Sequence, residues 1–181
     1  MRRLLLAALA AAALPLSAAA TTIQLQDLSE LVSGAEAVVQ GRVLSAQAVE
    51  QGTIIVTEYQ VEVSDWLKPG PQGSPRTIVI RQPGGTVGDV TMTVVGAAHF
   101  AVGEELILFT RDYGGLGHQQ VENLSQGALW IATEPVPPGA RSAGPPRKSL
   151  PQAAGFPRGG APADLEAFKA RVRELVAART P

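Results

Sequence analysis

The chain has 181 residues, no cysteine and almost balanced charge, with 15 Lys and Arg against 16 Asp and Glu. The lack of cysteine excludes a disulfide-stabilised scaffold, cysteine-ligated zinc and a lipid attached to an N-terminal cysteine. Residues 21–133 carry five basic residues against twelve acidic ones, whereas residues 134–181 carry eight basic against four acidic. Because an acidic body lacks the clustered cations that bind phosphates, we expect no nucleic-acid partner.

The first twenty residues have the parts of an export signal. Two arginines precede an apolar run of about 13 residues, and the small residues Ala18, Ala19 and Ala20 follow. The run is shorter than the roughly 20 residues that span a bilayer as a helix, so we expect no transmembrane anchor after cleavage. We predict a signal peptide over residues 1–20, cleaved between Ala20 and Thr21, and a periplasmic or extracellular protein. The lack of cysteine favours a bacterial periplasm or exterior over a eukaryotic secretory product.

The body begins with a short predicted helix and a long predicted hairpin. Asp27 lies three residues before Glu30, as in a capping box, and Gly34 follows where the helix would end. Two strand-like segments come next, at 37–50 and 53–68. In the second of them apolar and polar side chains alternate over about ten residues, which is typical of a strand with one face in water.

The segment RQPGGTVGDV, residues 81–90, has the glycine content of a phosphate-binding loop. Such a loop leads into a helix whose N-terminal amides face the anion. Here residues 89–95 are rich in β-branched side chains that alternate with polar ones, which favours a strand. We therefore predict that PGGTVG is a turn between two strands, the first at 77–81 and the second at 89–95.

The rest of the body continues the all-β pattern. We predict a connection over 97–103, a buried strand over 104–111 and a glycine turn over 112–117. Residues 118–133 predict one bent strand or two short ones, with Gly127 at a bulge. Strand segments thus recur six or seven times across the body with no helix between them, which indicates a small sandwich or barrel.

The end of the chain predicts a linker and an amphipathic helix. Residues 134–162 contain eight prolines and five glycines, a composition typical of a flexible linker. Residues 163–179 predict a helix that packs against the open edge or mouth of the barrel, with a partner protein or a membrane surface as alternatives. We expect the basic charges of this tail to be solvated, and docking on the acidic body or on an anionic surface is the alternative. Its apolar face holds Leu165, Phe168, Val172, Leu175 and Val176.

The sequence has few of the residues and motifs that commonly carry catalysis. The chain has only two histidines, His99 and His118, and no zinc-protease or serine-hydrolase motif. We therefore predict no catalytic residue, no cofactor and no metal, and hence a protein that is not an enzyme. The alternative is an unrecognised active site near His118, with Asp112 and Glu122 as its local acidic partners.

Acidic and aromatic residues near the ends of the predicted strands are further candidates for binding. Four carboxylates near turns could gather round calcium, but their spacing matches no known calcium loop; they are Asp89, Glu104, Glu105 and Asp112. Trp66 and Trp130 each end a strand-like segment, where we expect them to cap the core. The alternative is an exposed aromatic that binds carbohydrate or peptide.

Five blocks of the body, in order, are DLSELVSGAEAVVQGRV, YQVEVSDWLKPG, IVIRQPGGTVG, FAVGEELILFTR and NLSQGALWI. They resemble a family of exported bacterial domains of unknown function, found alone or ahead of matrixin-like metallopeptidases. More distantly, the first helix and the hairpin ending in WLKPG are similar to the barrel of tissue inhibitors of metalloproteinases, which is of the oligonucleotide/oligosaccharide-binding (OB) type. The resemblance implies a small OB-like antiparallel barrel of about five to seven strands over residues 21–133. The inhibitors' N-terminal cysteine, which chelates the target's zinc, has no counterpart at Thr21.

Two classes of function follow from these patterns. The first is an exported, non-catalytic binding or accessory domain that engages another exported protein or an envelope component, and a peptidase-regulating role is a special case by analogy of fold. The second is an enzyme with an unrecognised site near His118.

Overall fold

The structure of the protein is a computed structural model. It describes residues 26–70, 73–113, 118–133, 148–150 and 163–179. The predicted signal peptide and its cleavage site between Ala20 and Thr21 lie outside these residues. Within them, no helix is both long and apolar enough to cross a membrane.

The protein is mainly β, as the sequence predicts, with a helix near each end of the described chain. The N-terminal helix begins with the predicted capping box, in which Asp27 and Glu30 bond to each other's backbone N–H. A 3₁₀ helix over Leu124–Gly127 interrupts the last part of the body. In chain order the other elements are α1 (Leu28–Gly34), β1 (Ala37–Gln51), β2 (Ile54–Lys68), β3 (Thr77–Pro83), β4 (Gly85–Val87), β5 (Val90–Met92), β6 (Glu105–Arg111), β7 (Gln120–Val121), β8 (Ala128–Trp130), β9 (Ala132–Thr133), β10 (Lys148–Leu150), β11 (Ala163–Asp164) and α2 (Leu165–Ala177).

An antiparallel sheet of six strands forms the centre of the molecule. Its order is β3-β2-β1-β6-β7, and β8 also pairs with β6. The predicted hairpin is confirmed, because β1 and β2 pair from Val38 opposite Lys68 to Gln51 opposite Ile54. The register of β1 shifts at three points along this pairing, and such irregularities bend and twist a strand.

The first residues of β1 and most of β6 are buried on both faces, so neighbouring residues enter different cores. Val38, Ile107 and Phe109 pack with the helices on one face. Val39 and Leu108 pack on the other face, in the core beneath β2 and β3. Burial on both faces explains why β6 reads as an unbroken apolar run rather than an alternating one.

The two outer strands of the sheet approach each other. The N–H of Arg81 on β3 donates to the carbonyl of Gln119, just before β7, at 2.8 Å, and the N–H of Gln119 donates to the carbonyl of Val79 at 3.4 Å. Ile80 and Gln119 form a single parallel bridge. Hydrogen bonds therefore link the first and last strands in the sheet order.

The glycine-rich segment differs from its prediction. Residues Gly85–Val87 form strand β4, which pairs with β5, so the turn is only Gly88 and Asp89 rather than all of PGGTVG. Gly85 has a φ of 139°, and a Cβ there would lie 2.6 Å from the Thr57 hydroxyl oxygen. Glycine is thus needed at Gly85 for the close approach of β4 to the hairpin. As predicted, a strand and not a helix follows the segment.

Residues 148–150 form strand β10 inside the segment predicted to be a linker. Lys148 pairs with Thr133 on β9, and Ser149 pairs with Asp164 on β11. Leu150 is buried in the core on the helix side. The proline- and glycine-rich composition of the whole segment gave no indication of this short strand or of the buried Leu150. The other residues of the predicted linker, 134–147 and 151–162, lie outside the described part of the chain.

The amphipathic helix α2 packs on the body. Asp164 caps its start by accepting hydrogen bonds from the N–H groups of Glu166 and Ala167. The predicted apolar face is confirmed, since Leu165, Phe168 and Val172 are buried in the same core as Leu31 on α1. Among the destinations that the sequence left open, the structure therefore places this face against the body.

Truncation of Val172 tests this packing. The side chain is fully buried, so Val172→Ala should lower the free energy of unfolding by about 2 kcal/mol through lost burial and a residual cavity. Arg171→Ala on the same helix is the control, because its side chain is 62% exposed and its ion pair with Glu174 contributes about 1 kcal/mol at most. Urea unfolding measures both, and equal losses would contradict the packing.

Candidate functional site

A polar groove of about 960 Å³ opens on the surface of the described residues. It lies where β1 and β2 meet the start of β6 and strand β10, and the segment before β3 forms its rim. Trp66 and two serines contribute to its wall. Its charged lining residues are Arg42, Glu62, Asp65, Arg76, Glu105 and Lys148.

Strand register places the first charges of the groove side by side. Arg42 on β1 lies opposite Glu62 on β2 and opposite Glu105 on β6. The preceding residue is Gly41, at which a Cβ would lie 2.6 Å from a methyl of Val61 and 2.7 Å from the carbonyl oxygen of Glu62. Strands β1 and β2 can therefore approach closely only because position 41 is glycine. This close approach positions the backbone of the next residue, Arg42, in the groove.

Glu105 is the centre of one cluster of charges. Its carboxylate lies 2.7 and 2.8 Å from the Lys148 Nζ, accepts a bond of 2.7 Å from the Gln40 amide and lies 3.6 Å from a guanidinium nitrogen of Arg42. Burial acts to raise the pKa of Glu105, but the bonds from Lys148 and Gln40 and the charges of Lys148 and Arg42 outweigh it. The pKa of Glu105 is therefore below its usual value, and the carboxylate is ionised at neutral pH.

Asp65 is the centre of a second cluster, which joins β2 to α2. Its carboxylate lies 2.7 Å from the Lys169 Nζ and 2.7 and 2.9 Å from a guanidinium nitrogen of Arg173. Burial acts to raise the pKa of Asp65, but the bonds and charges of Lys169 and Arg173 lower it by a larger amount. The pKa of Asp65 is therefore below its usual value. The bonds and charges of Asp65 and Glu166 raise the pKa of Lys169 against the effect of its own burial. Part of the basic tail thus docks on the acidic body, so the expectation that its charges are all solvated is wrong here.

Trp66 forms the aromatic part of the groove wall. Its indole N–H donates to the carbonyl of Pro75 at 3.3 Å, and its ring is partly buried against the core beneath β2 and β3. Trp130 packs against the same core, and its N–H donates to Glu104 at 3.0 Å. Both tryptophans therefore border the core, and Trp66 also lines the groove.

Two residues of the alternative active site, His118 and Glu122, each contact residues outside that site. His118 contacts Arg81, whose guanidinium lies 2.5 Å from Glu58. Because a guanidinium can only donate, the Nε2 of His118 is the acceptor in that contact. Glu122 accepts a bond of 2.9 Å from the Tyr113 hydroxyl and lies 3.3 Å from the Arg111 Nε, in a cluster at the end of α1.

The third residue of that alternative, Asp112, donates its backbone N–H to Glu36 at 3.2 Å. Glu104, a candidate calcium ligand, accepts bonds from the N–H of Ala101 and from Trp130. Over the residues that the structure describes, no group of three or more His, Asp or Glu side chains could hold a metal ion. Neither Glu104 nor Glu105 therefore gathers with Asp89 and Asp112 into such a group.

No protein-family model matches the chain, and comparison with curated proteins finds no relative in sequence. The resemblance to exported domains therefore stays a prediction. Inference about function rests on the residues of the groove.

The sequence contained part of the signal for this groove. Glu62 and Ser64 fall on the polar face of β2, which the alternation of the strand indicated. The cationic partners could not be found in the same way, because Arg173 and Asp65 are 108 residues apart. Lys148 lies in a segment whose composition predicted no fixed structure.

Replacement of Asp65 tests the second cluster. Asp65→Asn should lower the free energy of unfolding at pH 7 by about 1–3 kcal/mol, because Lys169 is only 8% exposed and loses a charged partner. The pKa of Asp65 is lowered in the folded protein, so its contribution is present above the ordinary pKa of about 3.9 and is lost as the pH falls through the folded value. Urea unfolding between pH 7 and pH 2.5 should show the difference from the unmodified protein disappearing below about pH 4.

Glu174→Gln is the matched control. Glu174 forms an ion pair with Arg171 on the same helix, and both side chains are more than 60% exposed to solvent. It should change the free energy of unfolding by about 0.5 kcal/mol or less. An Asp65→Asn effect that persists unchanged at pH 2.5 would show that the loss comes from packing and not from charge.

Proposed function

We propose that the protein is an exported, non-catalytic binding module that holds another exported protein or an envelope component in the groove beside Trp66. The observation that carries this proposal is a groove of about 960 Å³ lined by six charged side chains. Ligand sites are commonly concave, with a few polar groups converging from several elements. The predicted signal peptide, residues 1–20, supports an exported protein.

The way the charges are held supports binding. Glu105 is contacted from β1 and β10, and Asp65 is contacted twice from α2. Side chains that are already oriented lose little conformational entropy when a ligand arrives, so they favour recognition. Rigid strands rather than loops supply most of this lining.

We also propose that the sheet closes as an OB-like barrel, with β3 and β7 as the closing strands. The support is the pair of hydrogen bonds that joins Gln119 to Arg81 and Val79, together with the parallel bridge at Ile80. Closure would remove the open edge of β3 and so protect the sheet from unwanted pairing. The resemblance to the inhibitor barrels agrees with this topology.

Site-specific photo-crosslinking tests the binding role. A photo-reactive amino acid in place of Ser74, an exposed and uncharged residue of the groove rim, should capture one saturable partner from the exported fraction of the source cells. The control position is Gln51 at the turn of the β1–β2 hairpin, nine residues along β1 from Arg42 and therefore about 25–30 Å away.

Capture at position 74 but not at position 51, with competition by excess unlabelled protein, is the expected result. The same pattern of products at both positions, or none at position 74 with either protein or polymer detection, would overturn the proposal that the groove is the binding site.

A further inference from the structure

The groove has more positive charge facing its interior than the count of its lining residues indicates. Three cations and three carboxylates line it, so the formal charges cancel. However, Asp65 is already neutralised from behind by Lys169 and Arg173, which belong to α2 and do not line the groove. Of the lining cations, Lys148 is paired with Glu105 and Arg76 with Glu62, so the groove keeps an excess of one positive charge, which lies at Arg42.

Much of the hydrogen-bonding capacity that remains in the groove is that of donors, although the Glu62 carboxylate, which is 42% exposed, keeps acceptor positions beside Arg76. The Glu105 carboxylate already has Lys148 on both oxygens, together with Gln40 and Arg42, which occupies about all of its four acceptor positions. A guanidinium carries five N–H groups, and Arg76 uses one nitrogen, on Glu62 at 3.3 Å. The side chain of Arg42 is 55% exposed, so it also faces solvent with donors. A ligand that fits these groups supplies acceptors and negative charge.

Trp66 adds a flat apolar surface to this donor-rich groove. Its N–H is held by Pro75, which fixes the orientation of the ring. Trp66 also lines a second, smaller depression of about 140 Å³, together with Gly70 and Val79, so the indole borders two hollows. A sugar ring has an apolar face that matches an indole and a polar edge that matches flanking donors. An extended acidic peptide has no such flat unit at each step.

We propose that the ligand of this groove is an acidic polysaccharide of the cell envelope, with carboxylate-bearing sugars. The carboxylates bind Arg42 and Arg76, and a sugar ring lies against Trp66. Lys148, which comes from the basic tail, bonds to Glu105 and so neutralises a carboxylate that would otherwise repel an acidic ligand. This inference rests on the proposed binding function and names the chemistry of its ligand.

The test uses the mature protein and three probes of known composition. These are oligogalacturonate, the neutral glucose oligomer maltoheptaose and poly-L-glutamate, each titrated while tryptophan fluorescence and heat are recorded. We expect oligogalacturonate to bind, with an affinity that falls as salt rises because the contacts are charged and exposed. Maltoheptaose and poly-L-glutamate should bind at least tenfold more weakly.

Two substitutions of the same kind locate the site. Arg76→Gln removes a cation on the rim that has only an exposed partner, so the fold is retained and the affinity for oligogalacturonate should fall by about tenfold. Arg171→Gln makes the same change on α2 outside the groove and should leave the affinity within about twofold.

Other outcomes overturn the inference in distinguishable ways. Equal binding of poly-L-glutamate would assign the groove to an acidic protein, and equal binding of maltoheptaose would remove the role of charge. If no probe binds while crosslinking at position 74 still captures a partner, the acidic polysaccharide is wrong and the binding function stands. If both fail, the binding function fails as well.

Discussion

The rest of the structure depends on the position of β1 between two partners. Along one edge it pairs with β2, and along the other its first residues pair with β6. Both edges of these first residues are thus hydrogen-bonded, and other elements pack on both of their faces. Val38 therefore enters one core and Val39 enters the other. The helices complete one core and the outer strands the other, so the two cores share a single backbone.

The same strand sets the geometry of the groove. Gly41 lets β1 approach the backbone of Glu62 more closely than any other residue could. Arg42 then lies between Glu62 and Glu105, which register alone places on the neighbouring strands. A feature that serves packing therefore also gathers charges at one point of the surface.

Two kinds of force hold the C-terminal tail on the body, and their magnitudes differ. Burial of a large apolar side chain contributes about 1.5–3 kcal/mol, and α2 buries Leu165, Phe168 and Val172. An exposed ion pair such as that of Arg173 with Asp65 contributes about 1 kcal/mol or less. The apolar face thus provides most of the docking energy. The ion pairs set where along β2 the helix comes to rest, and by doing so they neutralise Asp65 and change the charge of the groove.

The sequence by itself determined the elements whose signals are local. The capping box at Asp27 and Glu30, the alternation along β2 and the apolar face of α2 are each set by residues a few positions apart, and all three appear in the structure. The strand β4 was missed because it lies within a glycine-rich turn pattern, although its partner β5 follows at once in the chain. The strand at 148–150 was missed because its partners, β9 and β11, lie far from it in the chain. Only the tertiary structure decided where the basic tail lies and which carboxylates its cations meet. Contacts such as Lys148 with Glu105 and Arg173 with Asp65 depend on how the cores pack, and that packing joins residues far apart in the chain.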